Sequence, residues 1–115
     1  MKIRPIPKKL LVHSAMLHKM NEEDRWGKSQ LDDGIALEKI KIEPTTQIVR
    51  DANNAEVQLS AMLFFDCENS RPRGMAFQVD DIIVFNGERF WVKTVEPLYA
   101  DTTPHHYEVG LIKGA

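Results

Sequence analysis

The amino-acid sequence predicts an all-β protein, a small barrel or sandwich of about six to seven mainly antiparallel strands. Segments with alternating apolar and polar residues recur along the chain, separated by turn residues roughly every eight to twelve positions. No window of about 11 residues shows convincing helical periodicity. The size of the chain, 115 residues, favours a small barrel.

The firmest local prediction is a tight β-hairpin centred on Asn86-Gly87. Two runs rich in β-branched and aromatic residues flank this dipeptide. Asn-Gly readily adopts the positive φ angles of a two-residue type I′ turn. With these two turn residues, the predicted facing pairs are Phe85 with Glu88, Val84 with Arg89, Ile83 with Phe90, and Ile82 with Trp91.

The first half of the chain offers two further strands. Residues 10–17 can form a strand, after an N-terminal arm (residues 1–9) that Pro5 and Pro7 keep extended. In residues 35–43 the apolar positions switch from odd to even across Glu38-Lys39. A β-bulge there would bring both sets to one face, and Pro44 would end the strand.

The second half continues the pattern. Residues 45–50 can form a short strand, and a turn at residues 51–54 precedes a strand with clean period-two alternation over residues 57–65. Residues 75–79 can pair briefly before the hairpin. Residues 98–104 are expected to be a loop, and Tyr107, Val109 and Leu111 give the last strand its apolar face.

Composition predicts one soluble β domain over residues 1–115. Apolar residues make up 43% and charged residues 28%, as in ordinary globular proteins. The net charge of −2 argues against a dedicated duplex-DNA binder, because such proteins cluster Lys and Arg against phosphates. The N-terminal basic cluster of Lys2, Arg4, Lys8 and Lys9 is expected to be a solvated arm. The sequence also offers no signal peptide or membrane span.

Chemistry-bearing residues do not form a recognisable catalytic or metal site. Cys67 has no second cysteine and is expected to be a free, half-buried thiol. His105 and His106 are adjacent on a predicted strand, where successive side chains point to opposite faces and cannot easily chelate one ion. Three carboxylate pairs lie in polar turn sequence, where solvation is expected to leave them without a catalytic role. They are Glu22-Glu23, Asp32-Asp33 and Asp80-Asp81. We expect no enzyme activity, cofactor or metal.

A long polar loop, residues 20–34, is the main candidate for contacts with partners. Loops of this length in compact domains are usually functional or disordered. Trp26 is either an anchor on the body or an exposed contact residue, since aromatics are enriched at interface cores. The candidate residues of this loop are Glu22, Glu23, Asp24, Arg25, Trp26, Lys28, Asp32 and Asp33. A second candidate interface comprises Arg71, Arg73, Asp101 and His105.

Several strings of the chain resemble a known family. They are Phe-Asn-Gly-Glu-Arg-Phe-Trp-Val-Lys-Thr-Val-Glu-Pro-Leu-Tyr from residue 85, His-His-Tyr-Glu-Val-Gly-Leu from residue 105, and shorter matches within residues 42–70. Together they resemble the minor capsid proteins of tailed phages and prophages of Gram-positive bacteria, over nearly the whole chain.

The resemblance implies a virion structural protein of the head-tail connector, made in the host cytoplasm. Copies would form a stopper-like ring below the portal and adaptor, meet a tail completion protein, and let DNA pass without specific binding. The isolated subunit can still be monomeric. The alternative is an OB-like barrel that binds single-stranded nucleic acid by stacking bases on Phe85, Phe90, Trp91 and Tyr107. Negative charge weighs against that alternative.

Overall fold

The computed structural model describes residues 4–19, 34–51 and 53–114. Within these ranges the chain forms a short 3-10 helix at Lys8–Leu10 and eight β-strands. The strands are β1 (His13–His18), β2 (Ile35–Pro44), β3 (Ile48–Arg50), β4 (Glu56–Gln58), β5 (Ala61–Asp66), β6 (Ile82–Phe85), β7 (Glu88–Ala100) and β8 (Thr103–Lys113).

Six of these strands close into a barrel with the order β1-β2-β5-β8-β7-β6. Every neighbouring pair in the barrel is antiparallel. Strands β3 and β4 form a separate two-stranded hairpin. The predicted all-β class is confirmed, and of the two architectures considered the chain adopts the barrel.

The interior of the barrel is filled by alternate side chains of its strands. Buried aliphatic and aromatic residues from all six strands form one cluster, joined by Met75 and Phe77 from the segment between β5 and β6. The Phe65 and Phe77 rings meet edge to face with centroids 5.4 Å apart. Each fully buried side chain of this size contributes about 1.5–3 kcal/mol relative to an exposed one.

The β6–β7 hairpin has the predicted register. Its facing pairs run from Ile82 with Trp91 to Phe85 with Glu88. Asn86 and Gly87 have φ angles of 51° and 76°, as the type I′ turn requires. The turn sequence therefore sets the register of two barrel strands.

The predicted bulge in β2 is also confirmed. His13 pairs with Ile40 while Ser14 pairs with Glu38, so Lys39 is the extra residue, and its φ is 57°. The bulge lets Leu37 and Ile40 both point into the core, where neither is exposed. Pro44 is the last residue of β2, as predicted.

The prediction for the N-terminal segment was wrong in two respects. Residues 8–10 are a 3-10 helix rather than part of an extended arm or strand, and β1 begins only at His13. Pro7, with φ of −58°, precedes this helix, and its carbonyl accepts a hydrogen bond from the Leu10 amide at 2.9 Å. Leu10 is consequently 53% exposed, whereas Leu11 is buried.

The single strand predicted for residues 57–65 is two strands in different sheets. The chain leaves the β3–β4 hairpin and enters the barrel at Leu59-Ser60, where the Leu59 amide donates to Gln47 O at 2.8 Å and the Ser60 amide donates to Leu111 O at 2.7 Å. The apolar alternation continues through this junction because Leu59 is itself buried. In residues 45–50, only Ile48–Arg50 is strand.

Two predictions for the second half were also wrong. Residues 75–79 form no strand, since Met75 and Phe77 insert into the core. The loop predicted for residues 98–104 is instead a continuation of β7 and β8 around a tight turn at Asp101-Thr102, with Asp101 at φ 64°. We call the outer part of this hairpin, residues 94–108, the β7–β8 arm. Strand β6 pairs only with Glu88 to Trp91, so it does not flank the arm.

Candidate interaction site

A cleft of about 690 Å³ lies where the N-terminal segment, the end of β5 and the tip of the β7–β8 arm meet. Its lining combines charged, small and imidazole side chains, namely Arg4, Pro5, Asp66, Cys67, Glu68, residues 100–104 and His105. The cleft thus joins elements that are far apart in sequence.

Asp66 fixes the floor of this cleft. Its carboxylate is fully buried and accepts the backbone N–H of Ile6 at 2.9 Å, of Glu68 at 3.1 Å and of Asn69 at 2.8 Å. A buried carboxylate is tolerated only when its oxygens are hydrogen-bonded in this way. The side chain therefore ties the N-terminal segment to the turn that follows β5.

Ser70 completes the same turn. Its hydroxyl donates to the Lys39 carbonyl oxygen and accepts the Asp66 amide at 2.9 Å. Asn69 donates from its side-chain amide to Ile6 O at 2.8 Å. The bulge in β2, the turn after β5 and the N-terminal segment are consequently held as one unit.

The two adjacent histidines form a chain of contacts on one side of the cleft. Nδ1 of His105 and Nδ1 of His106 are 2.8 Å apart, His105 Nε2 lies 2.6 Å from Arg4 O, and His106 Nε2 lies 3.1 Å from Glu108 Oε2. Because a carbonyl oxygen only accepts, His105 Nε2 is the donor to Arg4. The prediction that these rings point to opposite faces was wrong. Pairing jumps from His106 with Leu98 to Pro104 with Tyr99, so His105 is a bulged residue whose side chain is redirected.

Cys67 is a free, half-buried thiol, as predicted. Burial raises the pKa of this thiol, and the neighbouring Asp66 carboxylate raises it further. Burial also raises the pKa of Tyr107, with smaller contributions from Cys67 and Tyr99. Both groups are therefore neutral at pH 7. Among the residues that the structure describes, no group of three or more His, Cys, Asp or Glu side chains could hold a metal ion.

The four residues predicted as a second interface lie in or beside this end of the barrel, and their role as an interface stays a prediction. Asp101 and His105 line the cleft. Arg71 is used locally, since its guanidinium donates to Glu68 O at 2.8 Å and Ser70 O at 2.9 Å. Arg73 contacts Glu68 Oε1 at 3.3 Å. The two arginines thus support the turn beside the cleft.

Sequence reasoning missed Asp66, the residue that organises this site. An Asp followed by Asn69 and Ser70 at the end of a strand is a signature of side chains that bond to nearby backbone, and it could have been recognised. Ile6, which donates to Asp66, and Lys39, which accepts from Ser70, are distant in sequence, and no local pattern predicted these contacts. The candidates in the long loop, from Glu22 to Asp33 and including Arg25 and Trp26, lie outside the described residues and stay predictions.

The aromatic residues of the alternative hypothesis do not form one exposed platform. Phe90 is buried in the core cluster, and Phe85 and Tyr107 pack against it. The edge of the Phe85 ring also meets His13, with centroids 5.0 Å apart. Base stacking needs exposed ring faces. This arrangement does not favour the nucleic-acid hypothesis.

Together, the closed barrel and the cleft at one of its ends define a small β-barrel domain. No helix in the described ranges is both long and apolar enough for a membrane crossing.

The family model described as minor capsid protein matches residues 7–111, and the chain belongs to this family. Membership implies a structural component of a virion. A search of curated proteins found no match, and neither did a search of solved structures.

Proposed function

We propose that this protein is a head-tail connector component of a tailed phage or prophage of Gram-positive bacteria. Copies form a ring below the portal and adaptor, close the packaged head and offer a surface to the tail completion protein. Family membership supports a role in the particle. The more specific position at the neck rests on the resemblance and on the shape of the subunit.

The observation that carries this proposal is the β7–β8 arm beside the cleft. A ring requires a heterologous interface, in which one patch of a subunit meets a different patch of its neighbour. The molecule measures 49 × 32 × 25 Å, and the arm and the separate β3–β4 hairpin give it surfaces unlike one another. A net charge of −2 also suits a wall along which DNA slides without being gripped.

Electron microscopy of assembled particles tests the position directly. Particles with a tagged copy of the protein should show additional density at the neck, and particles lacking the gene should lose packaged DNA and fail to join tails. A tag found only on the capsid shell contradicts the proposal.

The assembly route is tested separately. We propose that the free subunit is monomeric and that the ring forms on the portal, where neighbours are held at high effective concentration. Light scattering of the purified protein should give the monomer mass. A stable ring in free solution would reject template dependence, and particles with Arg25→Ala and Trp26→Ala that still join tails would remove the long loop from the mechanism.

A further inference from the structure

Charge is divided unevenly between two segments of this chain. Residues 4–19 contain Arg4, Lys8, Lys9 and Lys19 but no Asp or Glu. Residues 94–112 contain Glu96, Asp101 and Glu108 but no Lys or Arg. The overall charge of −2 therefore conceals a basic segment and an acidic one.

The basic segment presents a fixed surface. Hydrogen bonds hold it at Arg4 O, Ile6 N and Ile6 O, and Leu11 is buried with 2% exposure. Its neighbours Leu10 and Val12 are 53% and 63% exposed. We call the exposed side chains of this segment the basic strip, which comprises Arg4, Lys8, Lys9, Leu10 and Val12.

The acidic segment is the β7–β8 arm. Glu96 and Asp101 are exposed, and Tyr99 between them is 60% exposed. Glu96 also lies directly across the ladder from Glu108. Like charges in facing positions are destabilising, and among the described residues Glu108 contacts the His106 ring whereas Glu96 forms no ion pair. The carboxylate of Glu96 gains from any cation supplied from outside the subunit.

Four of these charges, those of Lys8, Lys9, Glu96 and Asp101, form no ion pair within the described part of the subunit. Both surfaces also carry exposed apolar groups at their centres, Leu10 and Val12 on one and Tyr99 on the other. The two surfaces are therefore complementary in charge, and each carries exposed apolar groups among its charges. Protein interfaces commonly combine an apolar core with a polar rim in this way.

We infer that the basic strip of one subunit binds the β7–β8 arm of a second copy of this chain. Ammonium groups of Lys8 and Lys9 meet the carboxylates of Glu96 and Asp101, around a contact of Tyr99 with Leu10 and Val12. The contact joins two different patches, so it can repeat from copy to copy and close into a ring. Arg4 and the tip of the arm already meet at the cleft within one subunit, so Lys8 and Lys9 supply the cations of the contact. The inference deepens the proposed function and rests on it for the ring.

A second copy fits the strip better than nucleic acid does. Phosphate binding is driven by clustered cations and gains little from exposed Leu and Val side chains. The N-terminal segment is held by hydrogen bonds and the arm by the β7–β8 ladder, which limits the conformational entropy lost when they meet. Salt weakens contacts between exposed charges, and association through this contact falls as ionic strength rises.

Charge reversal in assembled particles tests the contact. The variants K8E/K9E and E96K/D101K each place like charges opposite one another, and each should lower the yield of tailed, DNA-filled particles roughly tenfold or more. The quadruple variant restores opposite charges with the polarity exchanged, and it should recover most of the yield. Circular dichroism establishes that each variant is folded.

Matched controls change the net charge equally elsewhere on the surface. R50E/K113E and E56K/E88K reverse exposed residues that form the ion pairs Arg50–Glu56 and Lys113–Glu88. Exposed pairs of this kind contribute little. Both controls should give yields close to that of the natural protein.

Carbodiimide cross-linking of mixed isotope-labelled and unlabelled copies provides a second readout, in purified protein at low salt and in particles. Amide links from Lys8 or Lys9 to Glu96 or Asp101 of a different copy support the contact. It is overturned if such links are missing from both preparations, or if the quadruple variant fails to recover. If K8E/K9E lowers the yield of particles but E96K/D101K does not, the basic strip binds a different partner and the contact is overturned. If the protein is absent from the neck, the proposed function fails, while the links between copies still decide the contact.

Discussion

Replacing the buried carboxylate of Asp66 should destabilise the whole subunit, because it joins the N-terminal segment to the turn after β5. Asp66→Ala removes the acceptor of three backbone N–H groups, those of Ile6, Glu68 and Asn69. Hydrogen bonds to a charged group contribute about 1.5–3 kcal/mol each. All three donors are only partly buried and water can replace part of the loss, so we expect a total of about 3 kcal/mol.

Chemical denaturation of the purified protein measures this change, and the thermal midpoint should fall by roughly 12 °C at about 4 °C per kcal/mol. Asp66→Asn keeps one acceptor oxygen and should lie between the natural protein and the alanine variant. Glu43→Ala, at an exposed position of β2, is the matched control and should change stability by less than about 0.5 kcal/mol. A loss below about 1 kcal/mol for Asp66→Ala would refute the role assigned to this carboxylate.

Three further predictions address other parts of the molecule. Cys67 should react slowly with a disulfide reagent at neutral pH, because its raised pKa leaves little thiolate, and a reaction rate equal to that of the unfolded chain would contradict this. The stability that this thiol contributes is present below the ordinary thiol pKa and is lost as pH rises through the pKa of the folded state. Gly110→Ala should cost about 1–3 kcal/mol in denaturant titrations, since a Cβ there meets Thr94 Oγ1 and Leu59, and Thr94→Ala in the same chain should recover part of the loss if this contact is the cause. Gly87→Val should cost about 1–2 kcal/mol, because Gly87 has a φ of 76° and an added side chain would meet no neighbouring atoms, so backbone strain is the only cost. An unchanged denaturation midpoint would show that this strain is negligible.

The features that sequence alone predicted are those with short-range causes. Asn86-Gly87 fixes both its turn and the register of β6 with β7, because the positive φ angles are properties of these two residues. The switch of apolar residues from odd to even positions at Glu38-Lys39 is likewise a local pattern, and it marks the bulge. Pro44 ends β2 for an equally local reason, since proline has no amide to donate.

The features that sequence failed to predict depend on distant partners. Residues 57–65 have one uninterrupted alternation, and only the bonds of Leu59 and Ser60 to other strands divide them between two sheets. Residues 98–104 follow Pro97 and were predicted as a loop, yet Pro104 lies inside β8 opposite Tyr99. The redirected ring of His105 follows from a bulge that is visible only in the pairing of β8 with β7.

Pro97 has a consequence for the solubility of this protein. In its outer half, β7 is paired with β8 but is not flanked by β6, and Pro97 sits midway along that side, opposite Tyr107. Proline cannot donate a hydrogen bond, so an extended segment that docked there would find the ladder broken at its centre. Fibrillar stacking of subunits along this side is thereby discouraged, even when many copies are crowded together.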